Sequence, residues 1–180
     1  GTKYHYCSPH SDLLGWIIER ITGDKFYNVL SKLLFLPSGL KYDANVTLDK
    51  WGASRSAGGI SISPYDLLIL SELVRCYGSN SNGQIIPESW IDDFISFKDN
   101  HCYLNQEKLE RFPSGNYRSK WYQTGFDENE FCAIGIHGQN IWINPKKELT
   151  IIRMSSAADP INIQTEELMF SVFKTIANSI

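Results

Sequence analysis

Apolar residues near the start of the chain recur at the spacing of a helix. Between residues 12 and 21 they fall three or four positions apart and share one face, a stripe made of Leu13, Leu14, Ile17, Ile18 and Ile21. Ser8 or Ser11 can cap such a helix at its start, and Gly23 can end it. The pattern predicts a helix over residues 12–21 with one apolar face.

More helices are predicted in the first half of the chain. One covers about residues 25–35 and stops at the turn sequence LPSG, after which residues 39–60 are rich in glycine and serine and predict an irregular excursion. The next helix lies in SPYDLLILSELVRCYG, whose ends carry the expected residues: Ser63 as N-cap, Pro64 at the first position, Asp66 in the first turn and Gly78 as terminator. The segment PESWIDDFISF repeats this pattern from Pro87.

The pattern changes after about residue 115. Short runs rich in aromatic and β-branched residues are separated by turn residues such as Asn144-Pro145: RSKWYQT, FCAIGIHG, QNIWINP and ELTIIRMSS. These runs predict consecutive antiparallel strands. A closing helix over about residues 164–178 carries a stripe suited to one face of the sheet: Leu168, Met169, Val172, Phe173 and Ile176.

These elements together predict an α+β fold. Residues 1–112 are mainly helical, and residues 113–180 hold an antiparallel sheet with the C-terminal helix packed on it. A length of 180 residues is enough for one full hydrophobic core and somewhat short for two. We therefore expect residues 1–180 to form a single unit.

Composition excludes several classes of function. The chain is 42% hydrophobic and 21% charged, as in ordinary globular proteins, and its net charge of −3 offers no polycation for nucleic acid. No run approaches the roughly 18 apolar residues of a membrane span. The four cysteines form no CxxC pair, and His5, His10 and His101 lack metal-type spacing. We therefore predict no metal and no cofactor.

Tyr6 and Ser8 lie at the start of the first predicted helix and are candidate catalytic residues. A tyrosine just before an N-cap often packs on the first helical turn, which is the alternative to a role in proton transfer. A phenol with an unperturbed pKa of about 10 is a poor base at neutral pH. It becomes useful beside a positive charge such as lysine, which stabilises the phenolate.

Three stretches follow one another along the chain: Tyr6-Cys7-Ser8 with the helix after it, AGGISISPYDLLIL, and GIHGQNIWINPKKELTIIRMSS. Together they resemble the serine β-lactamase and penicillin-binding-protein superfamily, above all the branch with class C β-lactamases, esterases and 6-aminohexanoate-oligomer hydrolases. Tyr6-Cys7-Ser8 with the helix after it resembles the Tyr-x-Asn/Ser element, and AGGISISPYDLLIL resembles the Gly-Gly loop with its capped helix. GIHGQNIWINPKKELTIIRMSS is similar to the strand with the Lys-Thr-Gly or His-x-Gly motif and the strands that follow. The likeness covers about residues 2–156.

The resemblance implies a role for each matching residue. Tyr6 is the base or proton relay for a nucleophilic serine, and Ser8 holds the catalytic lysine or a substrate amide. His137, Gly138 and Gln139 occupy the Lys-Thr-Gly position on a strand at the edge of the cleft. The N–H of Gln139 or Asn140 then serves as the oxyanion donor.

Two further points follow from the same likeness. Trp121 either lines the cleft or is an ordinary core residue. Histidine in place of lysine at position 137 suits a small amide or ester substrate better than the carboxylate of a β-lactam. A non-catalytic relative that binds or senses a ligand is the alternative function.

The nucleophile of the family belongs to a Ser-x-x-Lys motif well upstream of the tyrosine. Two sequences match that pattern by spacing alone: Ser38-Gly39-Leu40-Lys41 lies in a turn, and Ser171-Val172-Phe173-Lys174 lies on the solvated side of the closing helix. We therefore expect this chain to be the C-terminal portion of a longer serine hydrolase. Its partner is then the missing N-terminal segment of its own domain, and alone it is inactive. The compartment is left open.

Overall fold

The structure is a computed structural model that describes residues 2–104 and 111–180. The first predicted helix, α1, covers Pro9–Thr22 and so extends slightly beyond its predicted limits. Gly23 ends it in the left-handed conformation, with φ of 70°, and its N–H donates to the carbonyl of Glu19 at 2.9 Å. Glycine adopts that conformation without the steric penalty of a Cβ.

The second predicted helix is a continuous helical segment of three parts. These are α2 (Phe26–Leu30), a π-helical turn (Ser31–Phe35) and α3 (Leu36–Ser38). The segment runs about one turn past the predicted end because the wider π turn lets the chain continue into Pro37, which has no N–H to donate.

The capped helices form where the sequence predicts them. α4 covers Pro64–Arg75, and the side chain of Ser63 accepts a hydrogen bond from the N–H of Asp66 at 3.0 Å. α5 covers Glu88–Ile95 and follows Pro87. The short α6, which covers His101–Leu104, was not predicted. The starts of α4 and α5 were predicted correctly because the residues that determine a helix start are neighbours in the sequence.

Two small ribbons lie within the helical half. β1 (Asn45–Val46) pairs with β2 (Ile60–Ser61) across the glycine-rich excursion, and β3 (Ser79–Asn80) pairs with β4 (Gly83–Gln84). Both pairs are antiparallel and only two residues long. The excursion predicted to be irregular is therefore closed at its base by β1 and β2.

A five-stranded antiparallel sheet dominates the second half. Its strands follow one another in space in chain order: β5 (Asn116–Arg118), β6 (Trp121–Gln123), β7 (Phe131–Gly135), β8 (Gln139–Asn144) and β9 (Leu149–Arg153). The helix α7 (Ile163–Asn178) closes the chain. The predicted α+β fold is confirmed.

One predicted strand is in fact a hairpin. The run RSKWYQT holds the end of β5, a two-residue turn and β6, with Arg118 paired to Trp121. The turn residues Ser119 and Lys120 both have positive φ, 51° and 74°, as a tight hairpin turn requires. Because this turn lacks the usual Asn-Gly or Asp-Gly pair, the sequence did not reveal it.

The expected edge strand also differs from the prediction. Ile136–Gly138 form a short 3₁₀ turn between β7 and β8, and β8 begins only at Gln139. β8 lies between β7 and β9, so the edges of the sheet are β5 and β9. Residues 136–140 are therefore a turn and the start of an interior strand, because β9 pairs with β8 from Asn140 to Asn144.

One face of the sheet packs against α7. A row of paired residues crosses all five strands on this face, namely Tyr117, Tyr122, Cys132, Trp142 and Ile151. Phe170 and Phe173 of α7 pack on Trp142, with ring centroids 5.7 and 5.5 Å away. The predicted stripe on this helix was only partly right: Phe170, Phe173 and Ala177 are buried, whereas Leu168 is exposed.

The opposite face of the sheet packs against α4 and α5. Its buried cluster contains Val74, Ile91, Phe94, Ile95, Phe131 and Ile143. Trp121 belongs to this face, because its neighbour Tyr122 points to the other one.

The apolar stripe of α1 remains open to solvent. Gly15 is the only buried residue of the helix, and the exposed large side chains include Leu13, Leu14, Trp16, Ile17 and Ile21. The predicted helix is therefore present, but nothing within the described residues covers its apolar face.

Among the described residues, no helix has the length and apolar character that crossing a bilayer requires.

Candidate active site

Tyr6 lies on the sheet face that also holds α7. Its ring packs edge-on against Tyr117 of β5, with centroids 6.2 Å apart. The side chain is 53% exposed, and its hydroxyl has no hydrogen-bond partner within residues 2–104 and 111–180. The phenol of Tyr6 is therefore held by packing of its ring and is accessible to solvent.

Three other tyrosines form an aromatic cluster next to Tyr6. Tyr4, Tyr117 and Tyr122 pack edge to face, and the hydroxyls of Tyr4 and Tyr122 are 3.3 Å apart. Burial, followed by the hydrogen bond to Tyr122, raises the pKa of Tyr4 far above its usual value, and burial also raises the pKa of Tyr117 and of Tyr122. These three phenols stay protonated at neutral pH and cannot act as bases there.

Ser8 occupies the N-cap position of α1 and is partly buried. Its carbonyl accepts a hydrogen bond from the N–H of Ser11 at 2.9 Å, but its side chain makes no capping hydrogen bond. The hydroxyl is therefore not committed to the helix and is free for another partner.

The first two motifs of the sequence meet in space. The carboxylate of Asp12 accepts a hydrogen bond from the N–H of Ala57 at 2.8 Å, and the hydroxyl of Ser56 donates to the carbonyl of Ser11 at 2.7 Å. A Cβ at Gly15 would lie 2.3 Å from Oγ of Ser56, so the loop can approach this closely only because position 15 is glycine. The Gly-Gly loop is thus fixed against the start of α1.

The third motif is a turn that the segment after β9 holds by hydrogen bonds. The N–H of His137 donates to the carbonyl of Pro160 at 2.9 Å, and Nδ1 of the same residue lies 2.8 Å from the carbonyl of Ala157. The side-chain amide of Gln139 pairs with the backbone N–H and carbonyl of Ser155. Neither side chain extends freely from the turn.

Gly138 and Asn140 complete the predicted group. The guanidinium of Arg153 donates to the carbonyl of Gly138 at 2.6 Å, and Gly138 has φ of 83°. Asn140 is buried between Ile134 of β7 and Arg153 of β9. Asn140 pairs with a strand on both sides, whereas Gln139 pairs only with Gly135 of β7 and has no partner in β9.

Tyr6 and the turn lie towards the same end of the sheet. β5 and β6 are joined by the turn after Arg118, and β7 runs antiparallel to β6 towards that same end, where it leads into the β7–β8 turn. Ile134 and Asn140 share the sheet face of Tyr117 and lie between it and the turn. The first and third motifs therefore border the same region of one face.

Trp121 does not join this group. Its ring stacks on Phe94 of α5 at 5.7 Å and packs edge-on against Phe131 at 5.3 Å, both on the opposite face of the sheet. The cleft role considered for Trp121 is therefore corrected to a core role, since adjacent residues of a strand point to opposite faces.

The two Ser-x-x-Lys matches are not assembled as nucleophile and base. The hydroxyl of Ser38 is buried without a hydrogen-bond partner in the described part of the chain, while Nζ of Lys41 lies 4.8 Å from the ring centroid of Tyr65. Ser171 and Lys174 are exposed on α7, as predicted, with Nζ of Lys174 over the ring of Phe126. No cluster of three or more candidate ligand side chains within residues 2–104 and 111–180 is arranged for a metal ion.

No sequence pattern predicted the contacts made by the segment after β9. Ser155, Ala157 and Pro160 hold the turn through backbone groups, which carry no side-chain signal. The one available hint was Gln139, a residue with both a donor and an acceptor where the family pattern has glycine.

Comparison with known proteins identifies the family. The model of the family described as beta-lactamase matches residues 1–170. A 6-aminohexanoate-dimer hydrolase from Paenarthrobacter ureafaciens is 30% identical over 158 residues, which is 88% of this chain and 40% of that protein. The chain belongs to the β-lactamase family, and the resemblance described from its motifs is confirmed.

Solved structures agree on the fold. A protein provisionally named 6-aminohexanoate-dimer hydrolase from Bacillus anthracis has a TM-score of 0.83 at 23% identity, covering 99% of this chain and 45% of that one. A provisionally named β-lactamase from Bacteroides dorei has a TM-score of 0.67 at 15% identity, covering 98% and 59%. The chain thus spans less than two thirds of the length of each of these relatives.

Proposed function

We propose that this chain is the C-terminal part of the catalytic unit of a serine hydrolase, which cleaves a small amide or ester through an acyl-enzyme. Membership of the β-lactamase family supports a hydrolase. The 30% identical relative is a 6-aminohexanoate-dimer hydrolase, which favours an amide substrate. The observation that carries the proposal is the exposed phenol of Tyr6, which has no hydrogen-bond partner among the described residues and lies beside the sheet end that holds the β7–β8 turn.

The reaction assigns one proton transfer to Tyr6. A serine hydroxyl from outside this chain attacks the substrate carbonyl carbon, and its proton moves to the phenolate of Tyr6. The same proton then passes to the leaving amine or alcohol as the scissile bond breaks. In the second half of the reaction water attacks the acyl-serine and gives a proton to Tyr6. Tyr6 passes that proton to the serine oxygen as the acyl bond breaks, which releases the acid and restores both the free serine and the phenolate.

Tyr6 needs a neighbouring positive charge for this role. The lysine of a Ser-x-x-Lys motif supplies that charge and stabilises the phenolate. Ser8, whose hydroxyl is not used to cap α1, holds this lysine or the substrate amide by a hydrogen bond.

The β7–β8 turn borders the substrate. The backbone N–H of Gln139, at the start of β8, donates to the oxygen that becomes negatively charged as the tetrahedral intermediate forms. His137 and Gly138 shape the turn that presents it. A turn fixed in advance stabilises this charge without reorganising during the reaction.

The open face of α1 supports the proposal that a further segment completes the unit. Its leucine, isoleucine and tryptophan side chains are exposed, although most of them lie on the predicted apolar stripe. An apolar face of this kind normally packs against other secondary structure. We assign it to the segment that carries the nucleophile, with residues 1–180 as part of the same folding unit.

Labelling with a fluorophosphonate tests the proposal, because only an activated serine is phosphonylated. The 180-residue chain and a longer protein that carries it are treated in parallel, and the labelled peptide is identified by mass spectrometry. We expect one labelled serine outside residues 1–180 in the longer protein and none in the chain alone. Labelling of Ser38 would move the nucleophile into this chain, and an unlabelled longer protein would favour a binding or sensing module.

A further inference from the structure

His137 adopts a backbone conformation that costs free energy. Its φ and ψ are 59° and 23°, in the left-handed region that residues with a Cβ rarely occupy. Its neighbours Ile136 and Gly138 complete a turn of only three residues between two paired strands. Contacts with the surrounding chain offset this cost at His137.

Three hydrogen bonds supply that hold. The N–H of His137 donates to the carbonyl of Pro160 at 2.9 Å, and its carbonyl accepts from the N–H of Ala157 at 3.3 Å. Nδ1 of the imidazole is 2.8 Å from the carbonyl of Ala157. Both backbone groups and the side chain of one residue are therefore engaged by one segment, Ser155 to Pro160.

The last of these contacts fixes the tautomer of the ring. A carbonyl oxygen can only accept, so Nδ1 of His137 must carry the hydrogen. In the neutral ring Nε2 is then the unprotonated nitrogen, and protonation at Nε2 leaves the Nδ1 bond intact. The two nitrogens have different roles available to them: Nδ1 binds the protein, and Nε2 could bind a substrate or a proton.

We propose that His137 is a positioning residue, which acts through Nδ1 by tying the β7–β8 turn to the segment after β9. This inference rests on the proposed function of the turn as the substrate edge. Gln139 acts in the same way, because its amide pairs with both backbone groups of Ser155. The resulting clamp holds the donors of the turn where the oxyanion forms, and Nε2 takes no part in the chemistry.

The geometry of asparagine offers a sharp test. In His137→Asn the side-chain nitrogen Nδ2 is attached to Cγ, as Nδ1 is in histidine, and asparagine also tolerates the left-handed conformation. This variant keeps the donor to Ala157 and removes Nε2. His137→Ala removes both nitrogens and has no such tolerance.

The experiment measures kcat and KM for both variants in the longer hydrolase that carries this chain. We expect His137→Ala to lower kcat by about 10- to 100-fold with little change in KM, and His137→Asn to stay within about threefold of wild type, because misplaced donors weaken transition-state binding most. Equal loss in both folded variants would assign the chemistry to Nε2 and overturn the proposal. Wild-type rates in both would overturn it as well.

A second measurement separates this proposal from the hydrolase proposal. Nitrogen-15 NMR of the wild-type imidazole is expected to show hydrogen on Nδ1, with slow amide exchange at His137 and Ala157 that becomes fast in His137→Ala. A ring with hydrogen on Nε2 would reject the clamp even in an active enzyme. An unlabelled, inactive longer protein with the Nδ1 tautomer would instead reject the hydrolase and the catalytic purpose of the clamp. This readout also decides the matter if His137→Ala fails to fold.

Discussion

The carboxylate of Asp12 in α1 accepts a hydrogen bond from the backbone N–H of Ala57, 45 residues further along the chain, at 2.8 Å. This contact joins the helix that follows Tyr6 to the loop of Ala57-Gly58-Gly59. The Tyr6 motif with its helix and the Gly-Gly loop, which are far apart in the sequence, are thereby held together beside the candidate site.

Removal of the Asp12 acceptor should loosen this junction. We expect Asp12→Ala to lower the free energy of unfolding by about 1–2 kcal/mol, because the N–H of Ala57 loses its partner. Asp12→Asn keeps an acceptor oxygen and should lose less than half of that. Chemical denaturation of both variants measures the difference, and equal stability of Asp12→Ala and wild type would show that the contact does not hold the loop.

Gly15→Ala should destabilise the protein, although alanine normally favours a helix. The new Cβ meets Oγ and Cβ of Ser56 at 2.3 and 2.9 Å, and overpacking of this kind costs about 1–3 kcal/mol against a helix-propensity gain of about 1 kcal/mol. In a Ser56→Gly background the same change should become neutral or stabilising. A double-mutant cycle of unfolding free energies tests this, and two additive effects would contradict the predicted clash.

Tyr6→Phe should lower turnover of the longer hydrolase by at least about 100-fold, a typical contribution of a general base. The ring contact with Tyr117 is kept, so unfolding should change little. Tyr42→Phe is the matched control, because Tyr42 is also an exposed tyrosine and packs against Tyr65 instead. Near-wild-type kcat in Tyr6→Phe would remove this phenol from the mechanism.

The carboxylate of Asp66 should make the free energy of unfolding depend on pH in the acid range. Burial alone would raise the pKa of its carboxyl, but hydrogen bonds from the N–H of Lys41, the hydroxyl of Ser63 and the N–H of Tyr42 outweigh burial and lower the pKa below its usual value of 3.8. The unfolded state therefore binds the proton first as pH falls.

The stabilisation from the Asp66 carboxylate is thus full above about pH 4 and is lost as pH falls through the pKa of the folded state. Urea unfolding at several pH values between 5 and 2.5 should show a shallower acid loss in Asp66→Asn than in wild type. Parallel curves for the two proteins would mean that Asp66 is not the group responsible.

Local signals explain most of what the sequence predicted correctly. The start of α4 was predicted correctly from Ser63, Pro64 and Asp66, because neighbouring residues determine where a helix begins. The order of the strands followed from short connections, which make consecutive strands pair.

The errors arose where distant groups or a backbone conformation decided the outcome. Ser119 and Lys120 turn the chain without glycine, and Phe170 rather than Leu168 faces the sheet because the position of Trp142 sets the contact. For His137 the partners lie 20 and 23 residues away and are backbone groups of Ala157 and Pro160, which no sequence pattern encodes.

The amide of Gln139 recognises only main-chain atoms of Ser155, and the imidazole of His137 likewise binds the main chain of Ala157. Side chains of the segment from 156 to 159 are therefore free to vary while the turn keeps its shape. A randomised library at these four positions should therefore leave the contacts that hold the turn intact. For directed evolution, this makes the short stretch after β9 a better starting point than the turn that it grips.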